Sequence, residues 1–254
     1  MFKHLLAIVA AAWASAATTQ AAAPCPYWTW DGFYFGVNAG VVRGYDKIRL
    51  TPKGDWGTTP LFLQDFITDN GTTRLSNWNF IGGVQVGYNY QMCRWLYGIE
   101  ADANYLNLSD HRNTPPLIAP GVQGLTFVFR DRIEHNWLVT VRPRIGYVID
   151  RFLPYLTGGF AIGDAKAKSS LFDTITGYAS FASASKTLPG WTLGGGLEYA
   201  FKPFVSVKVE YLYVNLGHFT TKSSTTTPNR EGYYEERRYS VRDDIVRIGI
   251  NYRL

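Results

Sequence analysis

Residues 190–217 read GWTLGGGLEYAFKPFVSVKVEYLYVNLG. On one parity stand Trp191, Leu193, Leu197 and Tyr199, then Val205, Val207, Val209, Tyr211 and Tyr213. On the other stand Thr192, Gly194, Gly196 and Glu198, then Ser206, Lys208 and Glu210. A period of two puts alternate side chains on opposite faces of a strand. Two strands joined by a tight turn at Phe201-Lys202 therefore carry one bulky apolar face and one face of glycine and charge. A strand of a water-soluble sheet buries its apolar face. A strand of a membrane barrel turns that face to lipid and points the polar face inward.

The pattern recurs in eight runs, near Gly32–Tyr45, Asn77–Tyr90, Arg94–Leu108, Glu134–Ile149, Phe152–Ala165, Gly190–Ala200, Pro203–Phe219 and Tyr239–Leu254. Helical spacing is not sustained anywhere. The runs have roughly 11–17 residues, where about 5–6 is usual for a soluble sheet and about 9–11 spans a bilayer. Short turns (QMC, DR, FK) alternate with four long polar connections, Asp46–Ser76, Ser109–Ile133, Lys166–Pro189 and Thr220–Arg238. This predicts an all-β fold: an eight-stranded antiparallel up-and-down transmembrane β-barrel with long extracellular loops and short periplasmic turns.

Composition agrees with that reading. Charged residues are 18% and aromatic residues 16%, with 25 Gly and 17 Tyr, and the net charge is only +5. No basic stripe with interleaved aromatics is present, which argues against nucleic acid as a partner. The start, with Lys3 followed by LLAIVAAAWASAA, reads as a secretory signal peptide over residues 1–21, with cleavage near 21–23. Residues 22–31 are then a periplasmic N-terminal segment and 32–254 the barrel. No later apolar stretch reaches the length of about 18 residues that a membrane helix needs.

Parity assigns positions. Trp78, Trp137, Trp191 and Tyr239 open runs leaving long loops, and Tyr88, Tyr147 and Tyr199 close runs near short turns. They are the expected aromatic girdles. Glu100, Asp102, Arg142, Arg144, Glu198, Lys208, Glu210 and Arg247 are expected to face inward, four acidic and four basic. Isolated buried charge is very costly, so they read as a paired network filling the barrel, with a narrow charge-lined pore as the alternative. Cys25 and Cys93 fall at the same rim on adjacent strands, and a disulfide between them is expected in an oxidising compartment.

Catalytic signals are weak. His111, His135 and His218 lack metal-ligand spacing, and no nucleophile elbow, phosphate loop or Cys-His pair is present. Pairs such as Ser109 with His111 arise readily by chance in serine-rich loops. The chain is expected to be non-enzymatic and without a cofactor.

The segments WDGFYFGVNAG, GGVQVGYNYQ, YGIEADANYL, RPRIGYVIDRFLPYLTGGFAIG, GWTLGGGLEYAF and VKVEYLYVNLG together resemble the outer-membrane immunogenic protein family of alphaproteobacteria, opacity-type small porin-like barrels. The resemblance covers nearly all of the chain after residue 21. It implies an eight-stranded barrel in the cell outer membrane, antigenic surface loops and roles in envelope integrity. Lipid, lipopolysaccharide and the barrel assembly machinery are the implied partners. Some relatives are described as porins and some bind haemin, so small solutes and haem are candidate ligands. Tyr178, His218, Tyr233 and Tyr234 are candidate loop residues for haem, because Tyr and His can ligate iron. The family's terminal aromatic is replaced by Leu254, although Val246, Ile248, Ile250, Tyr252 and Leu254 keep the alternation of an assembly signal. The expected function is that of a structural barrel, with a narrow porin or a ligand receptor as alternatives. The apolar cluster LFLQDFI in the first loop is expected to pack on the barrel mouth.

Overall fold

The computed structural model describes Cys25 and residues 28–254. The expected signal peptide and its cleavage site lie outside the described residues. The elements are β1 (Gly32–Gly44), β2 (Asp46–Gly54), α1 (Leu61–Gly71), β3 (Thr73–Leu75), β4 (Trp78–Met92), β5 (Trp95–Asn113) and β6 (Leu117–Ile118). They continue with β7 (Thr126–Tyr147), β8 (Phe152–Asp173), β9 (Ala179–Lys202), β10 (Val205–Lys222), β11 (Ser224–Thr225) and β12 (Tyr233–Arg253). Eight of them form a ring in the order β1-β4-β5-β7-β8-β9-β10-β12, and β12 pairs back onto β1. Every pair is antiparallel, so the sheet closes without an unpaired edge along the ring. Among the described residues no helix is long and apolar enough to cross a membrane.

The short turns sit at one end. Cys93 and Asp150 adopt positive φ there, 55° and 53°, which lets the chain reverse within a few residues. Cys25 is disulfide-bonded to Cys93 with Cα atoms 4.8 Å apart. The bridge ties the N-terminal segment to the turn between β4 and β5.

Three features at the other end differ from the sequence-based expectation. The connections expected as loops at Ser109–Ile133, Lys166–Pro189 and Thr220–Arg238 are largely strand, because β5, β7, β8, β9, β10 and β12 run on past the aromatic belt. The 24 residues of β9 would span about 60 Å at 3.3 Å per residue and a tilt near 40°, twice a hydrocarbon core. The first connection is strand, helix and strand, with β2 pairing onto the upper part of β12. Finally, α1 is helical where no helix is expected; it buries Leu63 and Ile67, one turn apart. Two apolar positions in a short segment are too few to register as a sustained helical period.

The reason the strand extensions escape notice is an inversion. Towards the short turns, apolar side chains point outward: Val207, Val209, Ile248 and Ile250 are exposed. Towards the long-loop end they point inward: Ile48, Leu50, Phe127, Phe129, Leu171 and Val241 are buried, while Lys47, Arg49, Lys166, Lys168 and Arg238 face out. In β7 the switch coincides with a break in register between Glu134 and Leu138. The carboxylate of Asp164 closes that bulge, accepting from the backbone N–H of Asn136 at 2.7 Å and of Trp137 at 2.9 Å.

Candidate functional site: the barrel lumen and its mouth

The lumen is filled in successive layers. Nearest the short turns, Trp30, Leu96, Val148, Leu153 and Ala200 form an apolar floor, with Trp28 packed against it. Trp30 is held from both sides: its N–H donates to Gln91 Oε1 at 2.7 Å and its indole Nε1 donates to the Asp150 carbonyl at 3.3 Å.

Above the floor lie the eight charges. All are at most 4% exposed. Arg142 Nη2 donates to Glu100 Oε1 and Asp102 Oδ2, both at 2.7 Å. Lys208 Nζ donates to both oxygens of Glu100 at 2.8 Å. Arg247 bridges Glu210, at 2.6 Å from Nη2, and Asp102, at 3.1 Å. Arg144 pairs with Glu198 at 3.1 Å and lies between the rings of Tyr34 and Tyr155, 4.7 and 5.3 Å from their centroids. Charge is thus balanced within the layer, four against four, which is the condition for holding ions away from water.

Neutral partners complete it. Tyr34 donates to Glu100 at 2.8 Å, Tyr155 to Glu210 at 2.9 Å, Thr140 to Asp102 at 2.7 Å and Asn251 to Glu198 at 2.7 Å. Tyr34 and Tyr155 escape sequence reasoning because aromatics in such strands are read as girdle residues; their inward parity is the signal that finds them. Glycine makes the space: a Cβ on Gly87 would collide with the Tyr34 hydroxyl, and one on Gly249 would stand 3.1 Å from Lys208 Cε.

A third, apolar layer caps the network. Val42, Ile81, Leu106, Leu138, Leu212, Val214 and Ile245 belong to it. Within it, His135 Nε2 lies 3.2 Å from Asp46 Oδ2, and Nδ1 lies 2.8 Å from the Asp164 carbonyl. Burial alone would lower the His135 pKa. The Asp46 carboxylate, its hydrogen bond and Asp243 outweigh that and raise it to about 9. This pair also escapes the sequence, since Asp46 and His135 are 89 positions apart.

The mouth is closed by α1 and the extended strands. Leu63 and Ile67 of α1 join Leu50, Trp56, Phe127, Phe129, Leu171 and Tyr178 in a separate apolar core. Glu235 anchors this lid, accepting from Trp56 Nε1 at 3.1 Å, the Tyr178 hydroxyl at 2.9 Å and the Ser180 and Ser223 hydroxyls at 2.6 Å. The expected packing of LFLQDFI on the mouth corresponds to this contact.

On the outer surface, Trp78, Trp137 and Trp191 form the upper belt with Tyr45 and Tyr105, and Tyr88 and Tyr147 are exposed near the lower one, where the Tyr199 ring packs at a tilt against Phe152, centroids 4.8 Å apart. Tyr239 does not belong to a girdle. It is 1% exposed inside the barrel, stacked on Phe219 at 4.9 Å, with its hydroxyl 2.8 Å from Ser169 Oγ. The cause is parity: β12 alternates strictly, and Tyr239 shares the inner face with Val241, Asp243, Ile245 and Arg247. Val246, Ile248, Ile250, Tyr252 and Leu254 face outward. The four candidate iron ligands do not converge. Tyr178 and Tyr233 pack edge-on against Trp56, whereas His218 pairs with Ser240, six positions and roughly 20 Å along β12 from Tyr234. His111 lies opposite Arg132 on the outer wall. Among the described residues no group of three or more His, Cys, Asp or Glu is placed to hold a metal ion.

A family model described as "Outer membrane protein beta-barrel domain" matches residues 7–253. The chain belongs to that family. The 31 kDa outer-membrane immunogenic protein of Brucella melitensis biotype 1 is 32% identical over 234 residues, 91% of this chain and 87% of the relative. The 22 kDa outer membrane protein of Rhizobium leguminosarum bv. viciae is 28% identical over 190 residues, 75% of this chain and 66% of the relative. Among solved structures, the outer membrane protein OprG from Pseudomonas aeruginosa aligns with a TM-score of 0.46 at 13% identity, covering 88% of this chain and 97% of that one. By its family and its closed ring of eight strands the protein is an outer-membrane β-barrel. Its short turns face the periplasm, and the extended strands with α1 rise above the outer leaflet.

Proposed function

We propose that this outer-membrane barrel is a non-enzymatic, non-conducting structural protein that contributes to envelope integrity and displays its tall extracellular wall as an antigenic surface. The observation that carries the reading is the filled lumen. An apolar floor, a balanced ion network, an apolar layer and the α1 lid lie in series along the barrel axis. Eight strands give an interior just wide enough for side chains, and here the side chains use it. Paired ions fixed by several hydrogen bonds each are poor relays for a hydrated solute, because every passage would strip them of partners. The immunogenic naming of the Brucella relatives supports surface display. The test is single-channel recording on purified, refolded protein in planar bilayers. Silence is expected at all voltages the membrane tolerates. Stable, discrete conductance steps would overturn the reading in favour of a narrow porin.

A further inference from the structure

Six of the chain's 25 Lys and Arg residues meet in one place on the outer wall: Arg43, Lys47, Arg49, Arg74, Arg238 and Arg242. They come from four segments that only the fold assembles, β1, β2, β3 and the upper part of β12. Arg49 stands directly opposite Arg238. Lys47 stands directly opposite Arg74. Directly opposed residues of an antiparallel pair have Cβ atoms about 4.5–5.5 Å apart, and like charges so placed destabilise a sheet. No carboxylate lies within 4.0 Å of any of the six among the described residues. The acidic residues on the same face of β12 sit at either end of the cluster, Glu236 opposite Lys222 and Asp244 opposite Arg43, where Asp244 accepts from the Tyr211 hydroxyl at 2.8 Å.

The rest of the wall shows that this is a choice and not a property of extracellular strands. On β7 and β8, Arg132 opposes Lys168, but Glu134 binds Arg132 at 2.6 Å and opposes Lys166. On the β2–β12 face Glu236 and Asp244 flank the cluster, and no carboxylate among the described residues comes within 4.0 Å of the opposed Arg49–Arg238 and Lys47–Arg74 pairs.

Its height is also defined. Arg43 stacks over Tyr45 and Trp78 of the upper aromatic belt, 4.8 and 5.4 Å from their centroids, and donates to Ser76 Oγ at 3.0 Å. A groove lined by Arg43, Lys47, Arg74 and Arg242 starts at this belt and continues past Arg49 and Arg238. Four residues from Tyr45 to Arg49 rise about 10 Å at 3.3 Å per residue and a tilt near 40°. The groove therefore occupies the headgroup layer of the outer leaflet, immediately above the hydrocarbon. The molecule that fills that layer beside an outer-membrane barrel is a glycolipid with phosphate or carboxylate groups on its sugars. Arginine forks match such groups bidentately.

We propose that the β2–β3–β12 face is a binding site for the anionic headgroup of the outer-leaflet glycolipid, lipopolysaccharide. Its anionic groups bridge the opposed Arg49–Arg238 and Lys47–Arg74 pairs, while the acyl chains lie along Tyr45 and Trp78.

The test uses the refolded protein in zwitterionic micelles, titrated with diphosphoryl lipid A. The K47Q/R49Q/R74Q/R238Q variant should bind roughly tenfold or more weakly and with a shallower salt dependence. The R132Q/K168Q variant should bind like the native chain. Without lipid A, the quadruple variant should unfold at the same temperature as the native chain or higher, because removing opposed like charges relieves the wall. Three results would overturn the proposal: undiminished binding by the quadruple variant, an equal loss in R132Q/K168Q, or full competition by inorganic phosphate at the lipid A concentration. A quadruple variant less stable than the native chain without lipid A would count against it too, since the cations would then serve the fold itself.

Discussion

The lower and upper halves of the same strands solve opposite problems. In the lower half the solvent outside is lipid, so Val207, Val209 and Ile248 point out and eight ions are folded inward onto one another. In the upper half the solvent outside is water, so Ile48, Phe129 and Val241 point in and cations such as Lys166, Lys168 and Arg238 point out. One continuous hydrogen-bonded sheet carries both arrangements. The comparison teaches that a barrel strand has no intrinsic inside; the medium on its outer face decides which parity is apolar.

The comparison breaks most visibly at the buried ions. Arg142→Ala leaves four buried carboxylates against three cations, with Glu100 and Asp102 each short of one partner, and should cost about 3–5 kcal/mol. It is read as a fall in the urea midpoint of refolding, followed by the faster gel migration of unboiled barrel. An unchanged midpoint would mean that the layer is hydrated and not a sealed network.

A smaller effect tests the two solvents directly. Val207→Arg places a cation against lipid at mid-strand and should cost about 2–4 kcal/mol. Asn107→Arg places the same cation on the outer face just above the belt residue Tyr105, and should change stability by no more than about 0.5 kcal/mol. Equal costs at the two positions would erase the distinction between the halves.

The smallest effect is confined to the upper half. The His135 pKa is raised to about 9 from an ordinary 6.5. A raised histidine contributes stability that is complete below about pH 6.5 and is lost as pH climbs through 9. The groups facing it are Asp46, Asp243 and Asp110, with the Asp164 carbonyl on Nδ1. Hydrogen exchange of the β2 and upper β7 amides should therefore accelerate, beyond its intrinsic pH dependence, between pH 6.5 and 9.5 in the native chain. His135→Gln should lack that excess, and its persistence in the variant would assign it to another group.

How much of this was legible depended on which half was being read. The parity that begins at Trp191 and Val207 carries through the lower half apart from the inward apolar floor at Leu96 and Leu153 and the inward rings of Tyr34 and Tyr155, and all eight expected lumenal charges stand on the face that the structure buries. Tyr239 is expected in the belt from its place at the start of a run, but the parity of its own strand turns it inward beside Val241. Tyr239 is an inward residue of the upper half, and its ring reads identically in either role. The strand extensions were hidden for a related reason: with serine, threonine and lysine on the outer face, a wall in water has the composition of a loop. The helix α1 shows through only two buried apolar side chains, and the contact that recruits it, Leu63 and Ile67 against Phe127 and Leu171, joins segments roughly 60–110 residues apart.

The sequence by itself determined the ring of eight strands, their lipid-facing parity and the identity of the buried ions, because these follow from a period of two and from the exclusion of charge from hydrocarbon. Only the tertiary structure decided who pairs with whom. Arg247 meets Glu210 and Asp102, His135 meets Asp46, and Arg49 meets Arg238 because antiparallel register brings distant segments level. Register is set by all the strands at once, and no local stretch of sequence contains it.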